Sequence, residues 1–136
     1  MPTNVEIVKR FVSEVVNQGR VETIAEVIHP RYRSHGPGGV EAEGRAGAQS
    51  IIDEFRTAFS DLHAEITAEI AQGDLVALTM VTTGTHDGDL MGLAPTGATI
   101  ELPMAIFSRF KDGQIVEEWE YYDSATMMSQ LGLDSA

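Results

Sequence analysis

The stretch AIFSRFKDGQIVEEWEYYD, residues 105–123, decides the fold. At its centre, Asp112-Gly113 is a two-residue hairpin signal, because a type I′ turn needs positive φ at both central positions and these residue types tolerate it. On either side, apolar and polar residues alternate with period two, the pattern of strands with one covered face. The sequence therefore predicts two long antiparallel strands, the second running from Gln114 to Tyr122 and ending at Asp123. If Lys111 faces Gln114 across the turn, Asp123 falls opposite Leu102, and Met104, Ile106 and Ser108 share its face. A bulged turn would instead bring Glu101, Ala105, Phe107 and Arg109 to that face. The first register is preferred, since it buries Met104 and Ile106 rather than a charge.

Working outward, Leu62, Ala64, Ile66, Ala68 and Ile70 alternate with polar residues, and Gly73-Asp74 turns the chain into a further strand over residues 75–86. A Gly- and Pro-rich loop, residues 87–97, precedes the strand that enters the hairpin. The first half of the chain has helical period instead. Thr3 and Glu6 have capping-box spacing, and Val5, Val8, Phe11, Val12, Val15 and Val16 fall on one face. Helices are predicted over residues 4–18, 21–28 (stopped by Pro30) and 48–59, with a short strand at 31–35 and a last short helix carrying Met127, Met128 and Leu131. Helices followed by an antiparallel meander define an α+β domain. The expected architecture is a single domain over residues 1–136, a curved antiparallel sheet packed on three helices of the N-terminal half. Strand twist should curl that sheet into a cone with an internal pocket.

Composition excludes several functions. The chain has 21 acidic and 9 basic residues, a formal charge of −12, which disfavours nucleic acid and anionic membrane surfaces as partners. There is no membrane-length apolar run, no signal-peptide pattern and no cysteine, so a cytoplasmic protein without thiol chemistry is expected. His29, His35, His63 and His86 lack metal-ligand spacing, and no phosphate-binding loop, dinucleotide fingerprint or nucleophile elbow is present. No metal or cofactor is expected.

Strand alternation puts Trp119, Tyr121 and Asp123 on one face and Glu118, Glu120 and Tyr122 on the other. Two glutamates mark their face as the solvated one, leaving Asp123 inside against two aromatic residues. A carboxyl group there loses hydration and its pKa rises toward the range useful for proton transfer. The competing reading is that Asp123 caps the last helix. His86 ends its strand on the face of Leu78, Met80 and Thr82, placed either to hydrogen-bond a substrate carbonyl or to bond the adjoining loop.

The chain resembles the SnoaL-like polyketide cyclases, which share the nuclear-transport-factor-2-like fold. The resemblance is carried by Phe59-Ser60-Asp61, Gly73-Asp74, Gly84-Thr85-His86, Gly88, Gly92, Pro95-Thr96-Gly97, Asp112-Gly113-Gln114-Ile115, Glu118-Trp119, Tyr121-Tyr122-Asp123 and Gln130-Leu131-Gly132. It implies a cofactor-free acid/base enzyme that closes or rearranges a hydrophobic carbonyl-containing small molecule, and a homodimer. It also implies Asp123 as acid/base; His86, from its place on its own strand, is the expected second catalytic group, hydrogen-bonding the developing enolate oxygen. His35, before a glycine-rich loop, is similar to a histidine of the family and is expected at the pocket mouth. Tyr32, Trp119, Tyr121, Met104, Ile106 and Ser108 complete the expected substrate site. The rival expectations are a binding protein for a lipophilic ligand and an oligomerisation domain.

Overall fold

A computed structural model describes residues 2–133. The first helix, α1 (Asn4–Arg10), begins where expected: the Thr3 hydroxyl accepts from the Glu6 backbone N–H at 3.1 Å. It continues as a π-helical stretch, Phe11–Asn17, whose end is tied down on both sides. The Asn17 amide bonds both the N–H and the C=O of Ala64, as a neighbouring strand would, and Arg56 donates to the carbonyls of Val16 and Asn17. These bonds satisfy terminal carbonyls that the helix itself leaves without partners.

A short 3₁₀ turn (Val21–Thr23) leads into α2 (Ile24–Val27), β1 (Ile28–His35), β2 (Glu41–Glu43) and α3 (Gly44–Ala58). The second helix therefore ends at Val27, and Pro30 lies inside β1 rather than terminating the helix. It sits where pairing with the neighbouring strand slips, between Ile28 and Arg33, so its missing N–H costs no ladder bond. The meander follows as β3 (His63–Gln72), β4 (Leu75–Thr85), β5 (Thr99–Lys111) and β6 (Gln114–Tyr121), and α4 (Ser124–Gln130) closes the chain.

The α+β class and the curved, unclosed sheet are as expected. The sheet has six strands in the order β2-β1-β6-β5-β4-β3, and it is mixed rather than wholly antiparallel, because β1 pairs parallel to β6. The chain between these two strands includes α3 and four more strands, and a long crossover of this kind permits parallel neighbours where a hairpin would not. The first helix and α3 cover one face of the sheet. Val8, Val12, Val15, Ile28, Val76 and Ile115 are buried in one core cluster, while Phe59, Leu90, Leu102, Met127 and Leu131 form a second. The loop after β4 is pinned to the end of α3, where the N–H groups of Asp87 and Gly88 both donate to the Ala58 carbonyl. Gly88 is obligatory there, since a Cβ would lie 1.9 Å from the Thr57 carbonyl oxygen.

The central hairpin has the expected two-residue turn, with φ of 53° at Asp112 and 75° at Gly113, and Lys111 faces Gln114. One step further on, the register shifts. Phe110 pairs with Ile115 but Arg109 pairs with Glu117, so Val116 is an extra residue, a one-residue β-bulge. From there Ser108 faces Glu118, Ile106 faces Glu120 and Phe107 faces Trp119. Because side chains alternate, that single residue exchanges the two faces of β6 relative to the unbulged reading.

Deleting Val116 should force β6 either to expose Glu118's partners or to bury Trp119 in place of a carboxylate. We expect a loss of more than ~3 kcal/mol, or failure to fold, measured by urea denaturation followed through Trp119 fluorescence.

Candidate active site

The inner face of the sheet and the helices across it enclose an apolar cavity. Phe11 and Val16 come from the first helix, and Ala48, Ile51, Ile52 and Phe55 from α3. Met80 and Thr82 of β4 and Ile100, Leu102, Met104 and Ile106 of β5 form the floor, with Leu62 beside them. Apart from the Thr82 hydroxyl, the polar groups come from β1 and β6: Tyr32 and Ser34 of β1, Glu118 and Glu120 of β6, and Tyr122 just beyond it. No lysine, arginine or histidine is among the described residues that line this cavity.

Glu118 is buried and fully engaged. Its Oε1 accepts from the Tyr32 hydroxyl at 2.7 Å and its Oε2 from the Ser108 hydroxyl at 2.6 Å. Burial raises its pKa, while the Ser108 and Tyr32 hydroxyls work in the opposite direction by bonding the charged form. Glu120 has no such partner among the described residues. Loss of hydration, reinforced by the charge of Glu118, pushes its pKa up to about 7. The Tyr122 hydroxyl is pushed up to about 12 by burial and by Glu120, and so remains a neutral donor. Burial, more than the neighbouring Glu118, holds Tyr32 protonated as well. The cavity thus combines a carboxyl group that exchanges its proton near neutrality with hydroxyl donors and apolar walls, the requirements of general acid/base chemistry on a hydrophobic substrate.

Of the residues expected from sequence, Tyr32, Met104 and Ile106 line the cavity, and Ser108 reaches it through Glu118. The others lie elsewhere. Asp123 is exposed, and its Oδ1 accepts from the N–H groups of Ala125 and Thr126 at 3.0 and 3.2 Å, capping α4. Bonding to the Thr126 and Ala125 N–H groups holds its pKa below the usual range, the reverse of the expected rise. Trp119 and Tyr121 point to the outer face of the sheet, where Trp119 stacks on His35 with ring centres 5.7 Å apart and Arg109 lies 5.8 Å from its centre. Tyr121 is 57% exposed beside Phe107.

His35 turns to that same outer side and bonds Glu41 at 2.8 Å and Glu117 at 2.6 Å, which raises its pKa. His86 is buried outside the cavity lining, against Phe59, with Nδ1 near the Thr96 hydroxyl and N–H. The physical reason for the β6 misplacements is the Val116 bulge. The residues missed are Glu118, Glu120 and Tyr122, read as solvated because two of them are acidic. Arg109 carried the available signal: its guanidinium pairs with Asp74 at 2.9 Å and lies over Trp119 on the outer face, so that face of β6 is the outward one.

A curved, unclosed sheet with helices across one face defines the nuclear-transport-factor-2-like fold. The sequence pattern of the family described as SnoaL-like polyketide cyclase matches residues 6–131, and the chain belongs to that family. It is 27% identical to aklanonic acid methyl ester cyclase AcmA of Streptomyces galilaeus, over 97% of this chain and 92% of that protein. It is 29% identical to the nogalonic acid methyl ester cyclase of Streptomyces nogalater, over 85% and 88% of the two chains. Among solved structures, IdmH of Streptomyces antibioticus, named as a candidate polyketide cyclase, superposes with a TM-score of 0.83 at 34% identity, covering 96% of this chain and 99% of that one.

Two outcomes follow from these environments. Asp123→Ala should cost about 1 kcal/mol through loss of the cap, whereas Asp123→Asn, which caps equally well, should cost little; urea denaturation of both variants checks this. Glu120 carries the opposite pH signature. Its folded value lies above its unfolded one, so the folded chain keeps a proton that the unfolded chain releases. Stability therefore falls as pH rises from the ordinary glutamate range to about 7. Glu120→Gln should leave stability nearly unchanged at pH 4 and raise it by about 1–3 kcal/mol at pH 8, measured in the same way.

Proposed function

We propose that this protein is a cofactor-independent cyclase or isomerase of the SnoaL-like type, acting on a hydrophobic substrate that carries a 1,3-related pair of carbonyl groups. The observation that carries this reading is Glu120, a carboxyl group held near neutrality on the wall of an otherwise apolar cavity. Ionised Glu120 takes a proton from the carbon between two carbonyls. The resulting enolate carbon attacks a further, remote carbonyl of the same molecule, distinct from the two that flank it, and one carbon–carbon bond forms without a leaving group. The alkoxide produced is protonated, so the proton lost from carbon is returned at oxygen. Tyr122, a neutral hydroxyl without a partner among the described residues, is the donor toward the developing oxyanion. Met104, Ile106, Phe55 and Ile52 hold the carbon skeleton.

The lining also bears on which form of the substrate enters. With two carboxyl groups and no cation facing the cavity, an ionised ligand carboxylate would be desolvated beside like charge, whereas a methyl ester would not. The names of the curated relatives, methyl ester cyclases, agree with this reading. A pocket that only sequesters a lipophilic ligand is served by the same walls, but it has no use for a carboxyl group poised near pH 7.

A second copy of the chain is the proposed partner. The outer face of the sheet presents Phe107 and Tyr121, 38% and 57% exposed, beside Trp119, and a two-fold dimer burying on the order of 1,600 Å² would cover them. Light scattering at micromolar concentration should return the dimer mass.

The activity is tested with an aromatic polyketide methyl ester bearing an uncyclised 1,3-dicarbonyl side chain. Glu120→Gln should keep substrate affinity within a few-fold and lower turnover by roughly 10²-fold or more, while Asp123→Asn should retain near-full activity. The free acid should bind at least about 10-fold more weakly than the ester at pH 8. Full turnover by Glu120→Gln would overturn the assignment.

A further inference from the structure

Glu118 is an expensive residue for the fold to bury, and the reaction proposed above needs only one carboxyl group. The two side chains lie two positions apart on one face of β6, about 7 Å along a strand, and both face the same cavity. Their situations differ. Glu118 receives a hydroxyl on each oxygen, from Tyr32 on β1 and Ser108 on β5, both of them buried. Two donors into one carboxylate stabilise its ionised form. Glu120 stands opposite Ile106 and has no such clasp.

The groups packed around the pair are few. From α3 and the first helix come only apolar side chains, from β4 Met80 and the Thr82 hydroxyl (which donates to the Met104 sulfur), and from β1 and beyond β6 the hydroxyls of Tyr32, Ser34 and Tyr122. No cation among the described lining residues neutralises a second charge.

We propose that Glu118 is a positioning residue of this site: clasped by Tyr32 and Ser108, it holds the first negative charge in the cavity and thereby sets the pH at which Glu120 gives up its proton. The inference rests on Glu120 being the acid/base group. It adds that the two carboxyl groups act as a coupled pair, the clasped one ionised and the free one exchanging, as in any site where like charges share a poorly solvated space. Removing the Glu118 charge should make Glu120 more acidic, although its burial, the larger cause of its raised value, stays in place. The base would then be weaker and the reaction less dependent on pH in the neutral range. Tyr32 and Ser108 take part without touching the reacting atoms, because they decide which of the two carboxyl groups ionises first.

The experiment is a ¹³C-detected pH titration of glutamate side chains in the ligand-free protein, comparing the wild type with Glu118→Gln and with the double variant Tyr32→Phe/Ser108→Ala. In the wild type, Glu118 should titrate below Glu120. In Glu118→Gln, the proton affinity of Glu120 should fall roughly 10- to 50-fold, as expected of unit charges about 7 Å apart at an effective dielectric constant near 20. The double variant, which leaves Glu118 in place but loosens its hold on charge, should lower the Glu120 midpoint in the same direction, and it keeps the test open if Glu118→Gln fails to fold. Glu118→Asp, which retains the charge, should keep the Glu120 midpoint close to the wild-type value.

With substrate, the acid limb of kcat/KM should move to lower pH in parallel with the titration. An unmoved Glu120 midpoint in a folded Glu118→Gln or double variant overturns the proposal, as does Glu118 titrating above Glu120. Absence of turnover with every ester substrate would instead count against the proposed function, leaving the titration result to stand by itself.

Discussion

One extra residue in one strand determines what this protein presents to its cavity. Side chains of a strand alternate strictly, so any insertion in one partner exchanges its faces relative to the other. Val116 is that insertion. Downstream of it, Glu118 and Glu120 join Ser108, Ile106 and Met104 on the covered face, while Glu117, Trp119 and Tyr121 are delivered to the outside. The two carboxyl groups of the cavity depend on this shift. Without it the pocket would be lined by aromatic rings, and the two glutamates would be unremarkable surface charges on a chain that already has an excess of them.

The cost of that arrangement is met locally rather than by a counter-ion. A buried carboxylate needs either a cation or hydrogen-bond donors. The cavity supplies donors, from two strands that flank β6 on opposite sides. β1 brings Tyr32 because it runs parallel beside β6, and β5 brings Ser108 because the bulge puts it opposite Glu118. The mixed topology is therefore not incidental to the site, since the strand that makes the sheet mixed carries one of the two hydroxyls that hold Glu118. Glu120, one pleat further on, lies beyond the reach of that clasp, and its carboxyl group responds to the low dielectric by keeping its proton longer.

Much of the architecture was legible. Helical period at Val5 to Val16, strict alternation at Leu62 to Ile70, and Asp112-Gly113 each report a local preference that the tertiary structure also satisfies. Met104, Ile106 and Ser108 were placed on the right face for the same reason. What could not be read was the bulge, because an extra valine in a run of strand-forming residues has no composition signature. The inference that adjacent acids mark a solvated face is sound for most sheets and fails here, where Glu118 and Glu120 face an apolar cavity. Pro30 misled in a similar way. Proline ends helices, but it is equally at home in a strand at a break in pairing, and only the neighbouring strand's register distinguishes the two. The choice for Asp123 between acid/base and cap turned on the same hidden residue.

Arg56 offers a last consequence, in terms of how such a scaffold diversifies. It follows Phe55, which lines the cavity, yet its guanidinium is committed to the carbonyls of Val16 and Asn17 at the end of the first helix. Successive helix positions are about 100° apart, so a cation one residue away from the cavity wall is fully withheld from it. That no basic residue is among the described lining is thus a matter of angle around one helix, not of a shortage of basic residues. A single arginine at an inward position such as Ile52 would set a positive charge in the same chamber as Glu118 and Glu120, while the frame that builds the chamber stays as it is.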